Sequence, residues 1–230
     1  MTTIPTRSKA VRTAIPMVGT ASPSHARVRP LAIISGTTQV VPGATVAIEH
    51  AGFLVADTAD IALVVDAPVG FALHAIEHRV FTSVHVIVAT TNTCPEYVED
   101  IWDYRPDALL AGQSVMRCLA EAVARIDRGE TYRLTPGCQT DLTRSERAAL
   151  RLLAQGWGND VIASYLRIRP QTVANRLTQI YAALGVDGRD AALLHYWGVY
   201  LPTRQSPSST AQSRATGHAT QTARSRDDLY

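Results

Sequence analysis

Three features are scarce or missing in this chain: lysine, paired cysteines and long apolar runs. Lys9 is the only lysine among 22 basic residues, a bias that we attribute to a GC-rich genome rather than to function. The three cysteines, Cys94, Cys118 and Cys138, lie far apart without a Cys-x-x-Cys pair, so the sequence indicates neither a disulfide framework nor a zinc site and fits a reducing cytoplasm. No run of about 18 uninterrupted apolar residues occurs, so a membrane-spanning helix is not expected.

Low apolar content marks both ends of the chain. Residues 1–27 and 202–230 are rich in Ser, Thr, Pro, Gln, Arg and Ala, so we expect a disordered N-terminal arm and a disordered tail. Basic residues precede a short apolar stretch near the N-terminus, as in a signal peptide, but Pro16 and Gly19 interrupt it. We therefore expect a cytoplasmic protein.

The net charge of +2 hides an uneven distribution. Residues 31–141 carry six basic and fourteen acidic residues, a balance of −8, whereas residues 142–201 carry seven basic and four acidic residues, a balance of +3. An acidic body followed by a basic module is expected when only the module meets phosphate. Because +3 is a small charge, we expect modest affinity from one copy and binding as a dimer.

Short apolar runs alternate with amphipathic stretches over residues 28–130. This alternation predicts a parallel α/β sheet. The predicted strands are 30–35, 61–66, 84–90 and 107–111. The predicted helices are 41–51, 70–80, 95–104 and 113–129.

The apolar stretch 53–56 does not fit this scheme easily. As a second parallel strand it would be followed by only four residues, 57–60, before the next strand. Parallel strands ordinarily need a crossover of a dozen or more residues, and four extended residues reach roughly 14 Å. Either the second helix is lost and the sheet is rearranged there, or 53–56 is not a parallel strand.

Residues 142–186 predict three consecutive helices, the last two joined by the short turn 167–169. The third apolar set is spaced at i, i+4, i+7 and i+11, which puts one apolar stripe on a helix of about four turns. It consists of Val173, Leu177, Ile180 and Leu184. The opposite face is small or amide-bearing and has no carboxylate, which is typical of a helix that enters a DNA major groove.

These residues resemble the LuxR/NarL-type helix-turn-helix domain. The residues that carry the resemblance are Leu142, Thr143, Glu146, Gly156, Asn159, Ile162, Ala163, Leu166, Ile168, Thr172, Val173, Asn175, Ile180, Leu184, Gly185, Val186 and Arg189. Joined to this domain, residues 28–130 resemble a shortened receiver domain of a response regulator, a flavodoxin-like doubly wound fold, with a linker over 131–141. The implied helix-turn-helix domain covers 142–201.

The resemblance implies a double-stranded DNA interface. Bases would be met from Ala174, Asn175 and Thr178, with Asn175 able to pair with adenine. The implied positioning and phosphate contacts are Asn159, Arg169, Gln171, Thr172, Arg176 and Gln179. Two departures weaken the match: Ala174 replaces a usual lysine, and Arg169 stands where the family prefers a capping serine.

The last predicted helix resembles the family's dimerisation helix. Its sequence, RDAALLHYWGVY, is expected to expose Leu193, Leu194 and Trp197 on one stripe. Two copies joined there would read an inverted repeat.

The resemblance to a working receiver fails at its chemical centre. Receivers hold Mg²⁺ with an acidic pair after the first strand, but the residues there are Ser35, Gly36 and Thr37. Asp66 matches the phosphoacceptor and Thr90 or Thr91 the switch hydroxyl, whereas 111–112 replaces the expected lysine. We expect Asp66 to be a vestigial phosphoacceptor, or simply a polar residue that closes a strand.

Two smaller groups of residues, a histidine pair and the cysteines, give weaker indications of a functional site. His74 and His78 have the i, i+4 spacing of a zinc pair, but no third ligand is evident, so a solvated helix face is expected. Nothing near the cysteines indicates a lowered thiol pKa, so redox sensing is not expected.

The primary hypothesis is a sequence-specific, dimeric transcriptional regulator that does not depend on phosphorylation. Its receiver-like domain would sense a small molecule or a protein, or simply dimerise. The alternatives are a protein-interaction module that has lost DNA affinity and sequesters another regulator, and a conventional response regulator that uses Asp66. An enzyme is not expected, because the sequence shows no nucleophile–base pair, metal cluster or phosphate-binding loop. We expect no cofactor, no bound metal and no membrane partner.

Overall fold

A six-stranded parallel sheet forms the N-terminal unit of the chain. The computed structural model describes residues 29–113, 115–137 and 139–199, so the predicted arm and tail and Cys138 lie outside the described residues. The strands are β1 (Pro30–Ser35), β2 (Leu54–Val55), β3 (Ile61–Val65), β4 (His85–Thr90), β5 (Ala108–Ala111) and β6 (Tyr132–Leu134), in the order β2-β1-β3-β4-β5-β6. This arrangement confirms the predicted parallel, flavodoxin-like sheet.

Helices cover both faces of the sheet. They are α1 (Val41–His50), α2 (Phe71–Glu77), α3 (Pro95–Asp103) and α4 (Leu119–Ile126). Helices α1 and α4 pack on the face that contains Leu63 and Leu110, whereas α2 and α3 pack on the face that contains Val64 and Leu109. Since both faces are covered, the central strands carry apolar residues at consecutive rather than alternate positions, and in β4 only the two end residues, His85 and Thr90, are polar.

The predicted helix over 113–129 is shorter and divided. A 3₁₀ helix, Val115–Cys118, precedes α4, which begins at Leu119. None of the helices in the described part of the chain combines the length and apolar content needed to cross a bilayer.

The stretch 53–56 does contribute a parallel strand, and the helix after it is lost. Strand β2 pairs Leu54 with Pro30 and Val55 with Leu31, and β3 begins with Ile61 paired to that same Leu31. The chain therefore leaves β2 and enters β3 at one level of the sheet, and it needs only to cross two strand spacings, about 10 Å. Of the two alternatives, the structure has the first, loss of the helix, and the short connection suffices because β2 is only two residues long and the chain need not return along a full-length strand.

The range assigned to the linker, 131–141, contains a strand that sequence patterning missed. Tyr132, Arg133 and Leu134 form β6, which pairs with β5 in parallel and closes the sheet at that edge. Three residues are too few to show an alternating pattern, so periodicity gave no signal here.

Four helices form the C-terminal unit, as predicted. They are α5 (Arg144–Ala154), α6 (Asn159–Leu166), α7 (Pro170–Leu184) and α8 (Gly188–Tyr196). Helix α5 begins at a capping box in which Thr143 and Glu146 satisfy each other's backbone amides. The turn between α6 and α7 spans 167–169, and Gly185 ends α7 at a φ of 65°.

The two units meet at a seam, which we define as the contact of α5 and α8 with α3. One apolar cluster runs through this seam. The guanidinium of Arg147 lies inside this seam, 7% exposed, and donates to Asp100 at 3.2 Å and Asp103 at 2.6 Å. The hydroxyl of Tyr196 donates to the other oxygen of Asp100 at 2.7 Å. Because these charges are buried, removing one partner leaves the other without compensation.

We predict that Arg147→Ala lowers the free energy of unfolding by about 3–5 kcal/mol, because it strands the buried carboxylate of Asp100. The matched control is Arg144→Ala: Arg144 contacts Asp103 at 3.4 Å but is 78% exposed, so its loss should cost at most about 1 kcal/mol. Urea denaturation followed by circular dichroism measures both. Equal losses for the two variants would contradict the assigned role of the seam.

Candidate functional site

The polar face of α7 is open to solvent. Val173, Leu177 and Ile180 are buried against the rest of the unit, as the predicted stripe requires. The exposed side chains on the other face are Gln171, Thr172, Asn175, Thr178 and Gln179, and Ala174 is half-buried beside them. Helix α7 contains no acidic residue, so this face does not repel phosphate.

Hydrogen bonds within and around α7 hold several of these side chains. The side-chain amide of Gln171 donates to Asn175 Oδ1 at 2.9 Å, and the hydroxyl of Thr178 donates to the Ala174 carbonyl at 3.0 Å. Arg176 donates to the hydroxyl of Ser145 at 3.0 Å and so lies against the first turn of α5. The Asn175 oxygen that could accept from a base therefore already accepts one hydrogen bond from Gln171.

The start of α7 lacks a side-chain cap. Arg169 takes the N-cap position in an extended conformation without a capping hydrogen bond, and Pro170 occupies the first turn. The amide of Thr172 donates to the Arg169 carbonyl at 2.9 Å, so this amide is already paired. Arg167 and Arg169 are exposed in the turn before α7, and Asn159 is half-buried at the start of α6.

Helix α8 does not expose the stripe that the sequence predicts. Leu194 is 47% exposed, whereas Leu193 and Trp197 are partly buried. The Trp197 indole N–H donates to the Ala154 carbonyl at 3.1 Å, and its ring lies close to Gly70, where a Cβ atom would come within 2.9 Å of it. The predicted exposure was wrong for Trp197 because α8 faces the sheet unit, and the large aromatic side chains of α8 fill that contact.

Asp66 directly follows β3 and is a fully hydrogen-bonded, buried residue. One oxygen accepts from the amides of Gly70 at 3.0 Å and Ala72 at 2.9 Å. The other accepts from the hydroxyls of Thr90 at 2.6 Å and Tyr97 at 2.8 Å. Burial raises the pKa of Asp66, although these four donors work against that rise. The carboxylate therefore ties the first turn of α2 to β4 and α3.

The loop after β1, where an acidic pair would stand, closes on β3 instead. Ser35 Oγ and the Gly36 amide both donate to the Ala67 carbonyl, at 3.2 and 3.0 Å. The ring of Phe71 lies so close to Gly36 that a Cβ atom there would meet it at 2.7 Å. A hydroxyl, a glycine and an aromatic ring thus occupy the place of the expected metal ligands.

A second polar cluster in the seam was not found by sequence reasoning. Glu96, 1% exposed, accepts from the Cys94 thiol at 3.1 Å and from the Thr140 hydroxyl at 2.6 Å. Its Oε2 also lies 2.7 Å from His195 Nε2. Burial alone would raise the pKa of Glu96, but hydrogen bonds from His195, Thr140 and Cys94 outweigh it and lower the pKa to about 2.

The local signal for this cluster was weak. Cys94, Pro95 and Glu96 form a helix start, with Pro in the first turn and an acid near the positive end of α3, but His195 is 99 residues away. Only the tertiary fold brings them together. The predicted pair His74 and His78 has ring centroids 4.3 Å apart on an exposed face, and no third ligand from the described residues joins them.

The family described as bacterial regulatory proteins, luxR family, matches residues 140–196, about a quarter of the chain. These residues form a luxR-family domain. The luxR-family domain comprises α5 to α8, and its long, acid-free α7 follows the three-residue turn.

Curated relatives extend the likeness little beyond this domain. A protein of Mycobacterium tuberculosis named as an HTH-type transcriptional regulator is 40% identical over 70 residues, which cover 30% of this chain and 8% of that protein. A protein of Mycobacterium bovis with the same kind of name matches equally. This chain therefore spans about 8% of the length of these relatives.

Among solved structures, RcsB from Salmonella enterica serovar Typhimurium, bound to a promoter, is similar at 20% identity. That match covers 75% of this chain and 99% of RcsB with a TM-score of 0.48. The response regulator ChrA of a heme-sensing two-component system is similar at 19% identity, over 73% of this chain and 96% of ChrA, with a TM-score of 0.35.

We predict that Asp66→Asn lowers the free energy of unfolding by about 1–3 kcal/mol, because an amide nitrogen cannot accept from the donors that now face a carboxylate oxygen. The control is Asp187→Asn, an exposed residue at the start of α8 that makes no side-chain cap, for which we expect a change within about 0.5 kcal/mol. Urea denaturation measures both variants. Wild-type stability in Asp66→Asn would show that the four hydrogen bonds do not support the fold.

Proposed function

We propose that the chain is a sequence-specific transcriptional regulator that binds double-stranded DNA through α7 of its luxR-family domain. The observation that carries this proposal is the exposed, acid-free polar face of α7, held by a buried stripe on the opposite side. A helix presented in this way after a short turn fits the major groove of B-DNA. The names of the mycobacterial relatives support the same function.

In the proposed complex, Asn175 reads an adenine by donating from its amide nitrogen and accepting at Oδ1. Gln171 already donates to that oxygen, which has a second lone pair for the base, so the Gln171–Asn175 hydrogen bond can orient the reading side chain in the complex. Ala174 offers an apolar contact suited to a thymine methyl, and Thr178 adds a hydroxyl.

The remaining residues of the proposed interface hold the DNA backbone. They are Asn159, Arg169, Gln171, Thr172, Arg176 and Gln179. Such contacts fix the register of the protein on the duplex without reading sequence. Since the hydroxyl of Thr172 is on the exposed face while its amide is paired, the side chain is the better phosphate ligand there.

Two copies are proposed to bind an inverted repeat, because the C-terminal unit has a formal balance of only +3. Helix α8 offers few exposed apolar side chains: Leu194 is exposed and Leu193 is half-buried, whereas Trp197 packs in the seam. Dimerisation through α8 would therefore rest on the two leucines while the seam stays closed.

We further propose that the regulator does not depend on phosphorylation of Asp66. Both oxygens of that carboxylate are taken by donors, and the loop after β1 supplies no acid to hold Mg²⁺ beside it. The sheet unit, which includes β6 and so extends beyond the predicted range 28–130, would then respond to a small molecule or a partner protein.

We expect Asn175→Ala to lose about 10- to 100-fold in affinity for duplexes that the wild-type chain selects from a random pool, and little for scrambled duplexes. Arg169→Ala should weaken binding to both and reduce the salt dependence, since it removes a phosphate contact. Gel-shift titrations at several salt concentrations measure these effects. Gln155→Ala, exposed at the end of α5, is the control and should bind as wild type does.

A wild-type chain that retains no duplex at low salt, or that binds without salt dependence, would contradict the DNA-binding proposal. That result would favour the alternative, a protein-interaction module that sequesters another regulator.

Incubation with acetyl phosphate and Mg²⁺ should leave the chain unmodified, and beryllofluoride should not change its DNA affinity. Intact-mass spectrometry and the gel-shift assay are the measurements, with a conventional receiver treated in parallel as the positive control. Stoichiometric phosphorylation that Asp66→Asn abolishes would instead support a conventional response regulator.

A further inference from the structure

We propose that Cys94, Glu96 and His195 form a binding site for a zinc-class divalent cation, which joins the sheet unit to the luxR-family domain. Cys94 and Glu96 lie at the start of α3, and His195 lies in the last turn of α8. The sequence predicted no metal cluster because these residues come from distant parts of the chain. The site is separate from the DNA-binding face of α7.

The geometry is that of a compact ligand set. The thiol, one carboxylate oxygen and one imidazole nitrogen all lie within 4.8 Å of one another. Glu96 Oε2 is 3.1 Å from Cys94 Sγ and 2.7 Å from His195 Nε2. Tetrahedral zinc places neighbouring ligand atoms roughly 3.3–3.6 Å apart, so side-chain shifts of less than about 1 Å would admit the ion.

The chemistry of the donors selects the cation. Sulfur, imidazole nitrogen and carboxylate oxygen together suit Zn²⁺ and Co²⁺, whereas Mg²⁺ and Ca²⁺ prefer oxygen alone. A thiolate and a carboxylate neutralise a divalent charge, which matters because Cys94 is 0% and Glu96 1% exposed. The positive end of α3 further stabilises both anionic ligands.

Binding requires a defined movement of protons. The Cys94 thiol releases its proton to solvent and ligates as the thiolate. His195 releases to solvent the Nε2 proton that it donates to Glu96 and carries its remaining proton on Nδ1, taken up from solvent where the ring was neutral, so that Nε2 can ligate. Thr140, which donates to the other oxygen of Glu96 at 2.6 Å, would hold that carboxylate in place.

The surroundings also limit the affinity. His195 Nδ1 is buried and has no hydrogen-bond partner among the described residues. Ligating histidines ordinarily donate this proton to an acceptor, and loss of such a partner costs about 10- to 100-fold in metal affinity. We therefore expect a site that is weaker than a structural zinc finger and responsive to the free metal concentration.

A cation bound here would bridge the two units, because two ligands come from α3 and one from α8. Neighbouring contacts already hold the end of α8: the side-chain amide of Asn92 donates to the Tyr196 carbonyl at 3.0 Å, and Trp197 packs near Tyr97. The metal would add to this seam, so its loading would control how firmly α8 is held.

The test is a Co²⁺ titration of the full chain, reduced and kept free of oxygen after removal of metals with a chelator. We expect one Co²⁺ per chain, with a thiolate-to-cobalt charge-transfer absorption that Zn²⁺ abolishes by displacement. Zn²⁺ should also raise the melting temperature of the chain, and Mg²⁺ at the same concentration should not.

Matched variants assign the ligands. Cys94→Ser should lose the charge-transfer band, whereas Cys118→Ser should keep it. His195→Gln should bind Co²⁺ at least about 10-fold more weakly, whereas His50→Gln, which alters an exposed histidine, should bind as the wild type does. Circular dichroism confirms that each variant is folded before titration.

Absence of a thiolate band in the wild-type chain would overturn the proposal, whatever the variants do. A band that persists in Cys94→Ser would also overturn it, since the thiolate would then come from another cysteine. Neither outcome bears on DNA binding, which the gel-shift assay tests separately.

Discussion

The structure depends on one constraint: three carboxylates are buried on or beside α3, and each must be supplied with hydrogen-bond donors. They are Asp66, Glu96 and Asp100, each at most 4% exposed. Asp66 draws its donors from the sheet unit alone. Glu96 and Asp100 draw their donors largely from the C-terminal unit. Burial of these two carboxylates therefore requires the acidic sheet unit and the basic luxR-family domain to stay in contact.

This dependence explains why α8 does not expose the full stripe that the sequence predicts. The hydroxyl of Tyr196 and the guanidinium of Arg147 both serve Asp100, and His195 serves Glu96. Because Tyr196 and His195 both lie on α8, this helix must face the sheet unit, and its aromatic side chains are buried as a result. Part of the positive charge of the C-terminal unit therefore pairs with the carboxylates of α3, as Arg147 does with Asp100 and Asp103. The remaining basic side chains are left for the outer face of the domain.

Local patterns predicted the elements well and the seam poorly. Strand β1 has the predicted bounds, and the predicted 84–90 became His85–Thr90, because continuous apolar runs between turns identify buried strands. The stripe of α7 was predicted from its spacing, and its exposed face followed from the same spacing. By contrast, β6 was too short for a pattern, and the 99-residue separation of Glu96 and His195 leaves no periodic signal. For Asp66, the sequence indicated only that the carboxylates of a metal site are missing after β1. The four hydrogen-bond donors to Asp66 could be identified only from the fold.

We propose that α7 binds DNA while the contacts of α5 and α8 with α3 are maintained. Hydrogen–deuterium exchange of the full chain, with and without a duplex selected by that chain, tests it directly. The account predicts slower exchange in α7 and the turn before it, with unchanged slow exchange in α3 and α8. Protection confined to the sheet unit, or faster exchange in α8 on binding DNA, would contradict it.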